Sequence, residues 1–294
     1  MPERVPIATL SDRLFAAFQY ALPKHALSRV IYGVARTESP AMKTLLITAF
    51  LRKYRVNMAE AAQPDPLSYR SFNGLFTRSL RTDARAIAAD PGVVISPADG
   101  TVTEAGLVHE NTIIQAKSIH YRLDELLAGD LASTQAYRNG NFICIYLAPY
   151  DYHRLHMPFE GRLRSTVYVP GDLFSVNAAS SRAVPRLFAR NERVICDFDT
   201  TLGRMAVIMV GAMFVGSIET VYAGEINPPP RRAKQSRSIA AGVGQSFAKG
   251  AELGRFNMGS TVVLLFQQDR IRWDDSLEPL ATVRMGQQIG RSFA

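Results

Sequence analysis

The hydrophobic period changes near residue 90, and that change restricts the chain to few architectures. Before it, apolar residues recur three and four positions apart, the spacing of a helix with one apolar stripe. Leu14, Phe15, Phe18 and Leu22 share such a face, which Ser11 can cap and Pro23 interrupts. Leu27, Val30, Ile31 and Val34 form a second. Ser39-Pro40 starts a third, with Leu45, Leu46, Ala49 and Phe50 on its apolar side. After the change come short β-type runs: Val93–Ile95, Thr112–Ile114, Phe142–Leu147, Thr166–Val169, Val194–Phe198, Met205–Val210 and Thr261–Phe266. Asp99-Gly100, Asn139-Gly140, Pro170-Gly171 and Leu202-Gly203 supply turns between them. No helix-length segment alternates regularly with these runs, which argues against a doubly wound parallel sheet. The expectation is an α+β chain, with N-terminal amphipathic helices over 1–70 and a largely antiparallel β body over 71–294.

Charge and apolar content narrow the partners. A formal net charge of +8 favours something anionic: nucleic acid, an acidic membrane surface or a phosphate-bearing substrate. The longest apolar stretch, Met205 to Ile218, falls short of the roughly 20 residues that span a bilayer. Glu3, Arg4, Asp12 and Arg13 interrupt any secretory signal. Surface association stays open, because Arg13, Lys24, Arg29, Arg36 and Lys43 flank the apolar helical stripes as in interfacial helices. Taken alone, that pattern more often marks helices packed on a core. Cys144 and Cys196 each sit in an apolar run and read as buried small hydrophobes. The stretch Asn227 to Arg237, NPPPRRAKQSR, reads as an exposed, basic, mobile loop.

Three separated segments carry chemistry-bearing side chains: Ser96 to Gly100, Asp151 to Pro158 and Gly254 to Thr261. Each has an ordinary reading. Asp99-Gly100 is a common turn, Gly-Ser-Thr a loop entering a strand. His153 and His156 lack a third ligand at metal-binding spacing, so no metal is expected. Together they offer an acid, a base and a hydroxyl in the order Asp99, His156, Ser260, a combination that recurs in different orders on unrelated folds. The serine lacks the G-x-S-x-G elbow of common hydrolases. Gly259 precedes it directly, leaving a backbone carbonyl open to attack by that serine.

Longer stretches carry a family resemblance. PADG at 97–100, DYHRLHMP at 151–158, YVPGDLFSVN at 168–177, LFARNERVICDFDT at 187–200, VGSIETV at 215–221 and GRFNMGST at 254–261 are similar to the bacterial, membrane-associated phosphatidylserine decarboxylases. FQYALPK at 18–24 and YRSFNGLFTRSLR at 69–81 extend the similarity into the helical start. The resemblance implies a chain that cuts itself between Gly259 and Ser260, using Asp99, His156 and Ser260. Residues 1–259 and 260–294 stay associated, and dimerisation of that unit is allowed. Ser260 becomes a covalently bound pyruvoyl (pyruvate) group that forms a Schiff base with phosphatidylserine, giving phosphatidylethanolamine and carbon dioxide. His153 is the candidate proton donor, with substrate positioning as its alternative. The implied location is peripheral, on the cytoplasmic side of the cell membrane. The 1–70 segment then docks on anionic lipid through Leu14, Phe15, Phe18 and flanking cations, and nucleic acid is not a partner. Arg231 and Arg232 are further candidates for headgroup contact. One departure from the family pattern is Met258, where the motif has leucine; the two are similar in volume, and little effect is expected. Two other readings predict different outcomes. A serine hydrolase using the same triad in trans keeps its chain whole, and a non-catalytic membrane-binding protein releases no carbon dioxide.

Overall fold

The computed structural model describes residues 8–116, 119–214, 217–226, 228 and 235–293. Residues 227 and 229–234 of the basic stretch, Arg231 and Arg232 included, lie outside the described residues. The three expected helices are α1 (Leu10–Ala21), α2 (Lys24–Ala35) and α3 (Pro40–Lys53). Thr9, not Ser11, caps α1. Its side chain accepts from the Asp12 N–H while the Asp12 carboxylate accepts from the Thr9 N–H, a reciprocal pair that needs an acidic residue three places on. Ser11 has Leu14 there.

The orientation of α1 is unusual. Leu14 and Phe18 are 62% and 60% exposed, whereas Asp12 and Gln19 are 6% and 0% exposed. The polar side is the docked one. Asp12 makes a two-pronged ion pair with Arg182 at 3.0 and 3.1 Å. Gln19 donates to the Ser180 hydroxyl at 3.0 Å and accepts from the Ser175 N–H at 2.7 Å. Lys24, at the start of α2, is buried against Asp172 at 3.1 Å, while Val30 and Val34 on the same helix are exposed. In α3, Ile47 is the fully buried residue, and Met42 and Leu45 face outward. A short helix α4 (Phe72–Phe76), capped by Ser71, packs Phe72, Leu75 and Phe76 on Ala35 and Ile47, and Met258 rests against this small core.

The rest is sheet, and every paired strand among the described residues is antiparallel. The chain is therefore α+β, with helices first and an antiparallel β body after them. In a nine-stranded sheet, Ser260–Phe266 lies between Asn141–Leu147 and Gly203–Gly211, paired along its whole length on both sides. Val262, Leu264 and Phe266 enter one core, and Val263 and Leu265 enter the other. Both faces are covered, so such a strand reads as an unbroken apolar run rather than as alternation. Cys144 and Cys196 are buried and free, and burial pushes both thiols up to about 12. Among the described residues no helix is long and apolar enough to cross a membrane.

This sheet sets the site. Thr101 pairs with Tyr146, and Tyr146 with Thr261, so Asp99 and Ser260 sit at one end of the sheet with a single strand between them. Gly100 is required there, since a Cβ would collide with the Tyr146 carbonyl. A four-stranded sheet pairs Arg154–His156 with Glu252–Phe256 and so holds the two histidines beside the segment that leads to Ser260.

Candidate active site

Ser260 is fully buried, and its hydroxyl has no hydrogen-bond partner. A buried hydroxyl without a partner is unfavourable, which marks the position as one built for something other than stability. The backbone ahead of it is also special. Met258 has φ 94° and Gly259 φ 42°, so two consecutive residues lie in left-handed territory before the bond to Ser260. At Gly259 the nearest atom to a hypothetical Cβ is 3.9 Å away, so glycine serves conformation there, not lack of room. Asn257 pins this turn. Its backbone N–H reaches the Ser217 carbonyl at 3.0 Å, its amide nitrogen the Ser217 hydroxyl at 2.8 Å, and its amide oxygen accepts from Asn73 at 3.1 Å.

The other expected residues surround this end of the sheet with their own partners. Asp99 accepts from Arg85 through both oxygens and from the Met285 N–H at 2.9 Å. Arg85 also pairs with Glu60 at 2.8 Å. His156 donates from Nδ1 to the Gly250 carbonyl at 2.8 Å, which leaves the lone pair on Nε2, and that atom meets the Tyr152 hydroxyl at 2.9 Å. Burial lowers the His156 pKa, and the Glu252 and Asp99 charges pull it back up. The register puts Asp99 and Ser260 at one end of the sheet and the Asp99 charge is felt at His156, but no direct hydrogen bond joins any two of the three.

His153 is held differently. It is fully buried, its ring lies 4.1 Å from that of Phe76, and Nδ1 donates to the Asp151 carbonyl at 2.9 Å. Nε2 is buried without a partner. Burial drives its pKa down to about 3, so the ring is neutral near pH 7 and Nε2 carries a free lone pair. Asp151 shifts the other way, pushed up to about 6 by burial and by the Asp99 charge, against the Ala148 N–H that it accepts. Sequence reading missed Arg85, Glu60, Tyr152, Asn73 and Asn257. Their partners lie from 4 to 184 positions away along the chain, and only Tyr152 stands within a motif segment beside its partner. Among the described residues no cluster of His, Cys, Asp or Glu could hold a metal.

The sequence profile of the phosphatidylserine decarboxylase family matches residues 72–291, and a second profile, described as PSD, matches 14–55. The chain belongs to the phosphatidylserine decarboxylase family. Curated family members named phosphatidylserine decarboxylase proenzyme match it over nearly their whole length. The one from Azotobacter vinelandii is 49% identical across 96% of this chain and 99% of its own. That from Methylococcus capsulatus is 47% identical over 97% and 98%, and that from Alkalilimnicola ehrlichii 51% identical over 88% and 90%.

Proposed function

We propose that this chain decarboxylates phosphatidylserine to phosphatidylethanolamine, using a pyruvoyl group made from its own Ser260. The observation that carries the reading is a serine hydroxyl buried without a partner, directly after a glycine in left-handed conformation, in a chain of this family. Such a serine has its own preceding carbonyl as the nearest electrophile.

His156 takes the Ser260 proton on Nε2 after the Tyr152 hydroxyl turns away from that lone pair, and the Asp99 charge favours the imidazolium that results. The serine oxygen attacks the Gly259 carbonyl, the bond from that carbon to the Ser260 nitrogen breaks as the imidazolium gives its proton to the nitrogen, and the amide becomes an ester. Loss of the Ser260 α-proton and the ester oxygen breaks the chain, leaving a carboxylate on Gly259 and a dehydroalanine at 260. Water converts that residue to the pyruvoyl group and releases ammonia. When present, the pyruvoyl group supplies a carbonyl that binds the substrate amine and accepts the electrons left by departing carbon dioxide. His153 governs the proton at the α-carbon. Its Nε2 holds a lone pair, so it must accept a proton before it can deliver one.

The pieces 1–259 and 260–294 remain together because Ser260–Phe266 is an inner strand with both faces covered. Five buried apolar side chains there hold it by about 7–15 kcal/mol before any ladder bond is counted. Dimerisation of that unit extends the same reading. Membrane docking falls to α1 to α3, which turn Leu14, Phe18, Val30, Val34 and Leu45 outward. The net charge of +8 complements an anionic leaflet, which favours the cytoplasmic side of the cell membrane. The test is release of labelled carbon dioxide from phosphatidylserine in vesicles. The parent liberates it and Ser260→Ala gives only background; equal rates from both refute the reading.

A further inference from the structure

A cleft of about 310 Å³ opens beside the histidine segment, lined by Asp151 and Tyr152 on one side and by Arg55, Arg78 and Arg284 on others. Arg78 stands two residues beyond Phe76, the ring that packs on His153. It is 4% exposed, and its Nε and Nη1 have no partner; Nη2 reaches only the Tyr150 carbonyl, at 3.4 Å. A guanidinium buried with two idle nitrogens is strongly unfavourable unless an anion completes it.

The acids around it are otherwise engaged. Glu60 and Asp99 are both bound to Arg85, and Arg284 reaches Glu60 at 3.5 Å. The Asp151 carboxylate accepts from the Ala148 N–H at 2.7 Å. Arg55 has no ion pair among the described residues, so the cleft holds surplus positive charge around a fork of unmet donors.

We propose that Arg78, supported by Arg55 and Arg284, receives the phosphodiester of the lipid headgroup and thereby sets the serine moiety toward residue 260. The inference rests on the decarboxylase reading above. The alternative anion on the same headgroup is the carboxylate, and the chemistry argues against it. That group leaves as neutral carbon dioxide, so pairing it with a guanidinium would stabilise the ground state more than the transition state and slow the reaction. The phosphate keeps its charge throughout, and the cleft therefore retains the product headgroup as well as the substrate's.

Binding is measured on the full-length Ser260→Ala protein, which has no pyruvoyl group, by calorimetric titration with glycerophosphoethanolamine and with inorganic phosphate. Arg78→Met in that background weakens glycerophosphoethanolamine at least tenfold. In the processed enzyme the same substitution raises KM for glycerophosphoserine by a similar factor. It leaves O-methylserine, which lacks phosphate, within twofold. If Arg78→Met fails to fold or process, Arg55→Gln and Arg284→Gln each give a three- to fivefold loss on the phosphate-bearing ligands alone. Equal losses on both substrates, or none on either, overturn the proposal, as does binding of inorganic phosphate without glycerophosphoethanolamine. A parent that binds glycerophosphoethanolamine through Arg78 but decarboxylates nothing keeps the anion site and sinks the reaction instead.

Discussion

Helix α1 and the strand Ser260–Phe266 place opposite chemistry inside the molecule. The strand hides Val262 to Phe266 on both faces, and its polar members Ser260 and Thr261 are buried with hydroxyls that bind nothing. The helix hides Asp12 and Gln19, each fully partnered, and turns Leu14 and Phe18 outward. A strand that tolerates unpaired polar atoms is built for chemistry. A helix that exposes leucine and phenylalanine one turn apart has the face that the proposed docking on lipid would use. On the proposed function the two features answer two separate needs, a reactive group made at Ser260 and access to a substrate held in a bilayer.

The contrast can be broken hardest at the catalytic end. His156→Asn keeps a donor near the Gly250 carbonyl but removes the base, and processing slows by about a thousandfold or more, read as uncut chain on a denaturing gel over time. Normal cutting would move the base elsewhere, with His153 the next imidazole. At the other end, Leu14→Glu combined with Phe18→Glu lowers affinity for anionic vesicles by about 10- to 100-fold in a sedimentation assay. Turnover of a water-soluble headgroup analogue and the melting temperature stay near the parent values, since neither side chain packs on the body. A large fall in stability would return α1 to the ordinary core.

A smaller effect separates the two regions by pH. His153 is depressed to about 3 in the folded chain against about 6.5 unfolded, so the unfolded state binds the extra proton between those values. Its contribution is complete above pH 6.5 and is lost as the pH falls, by about 1.4 kcal/mol per unit at most. Asp151, pushed up to about 6, acts in the opposite sense: its contribution is present below about pH 3.8 and is lost as the pH rises through 6. The deficit of His153→Asn relative to the parent therefore shrinks as denaturant titrations move from pH 7 to pH 4.5. A constant deficit would mean that the buried imidazole does not govern the acid limb. Asp12, held at about 2 chiefly by the Arg182 hydrogen bonds, ties α1 to the body until far lower pH. The smallest effect is at Met258. Restoring leucine by Met258→Leu keeps an unbranched Cβ at the same φ of 94° and changes the processing half-time by less than about threefold.

Much of the β body was legible because burial on both faces makes inner strands continuous apolar runs, as in Phe142 to Leu147 and Thr261 to Phe266. The helices were legible as elements but not in their facing. Periodicity finds the stripe of Leu14, Phe15 and Phe18 without saying whether protein or lipid covers it. The cap signal at Ser11 lies two residues beyond the true cap because the reciprocal bond needs Asp12, which Thr9 and not Ser11 can reach. At the site, Asp99, His156 and Ser260 are legible as an acid, a base and a hydroxyl in three segments, and the family resemblance gives them their role. The Arg85 clamp on Asp99 and the idle donors of Arg78 depend on contacts between distant segments, which no local pattern encodes.

On the proposed chemistry, Ser260 breaks the peptide bond that precedes it and leaves a carbonyl in its place. Intact-mass analysis of the purified protein beside Ser260→Ala measures this directly. The parent gives two pieces, residues 1–259 and a 260–294 fragment whose first residue has the mass of pyruvoyl, and the variant gives one uncut chain. A catalytically active parent that is a single chain with an ordinary serine at 260 would contradict it.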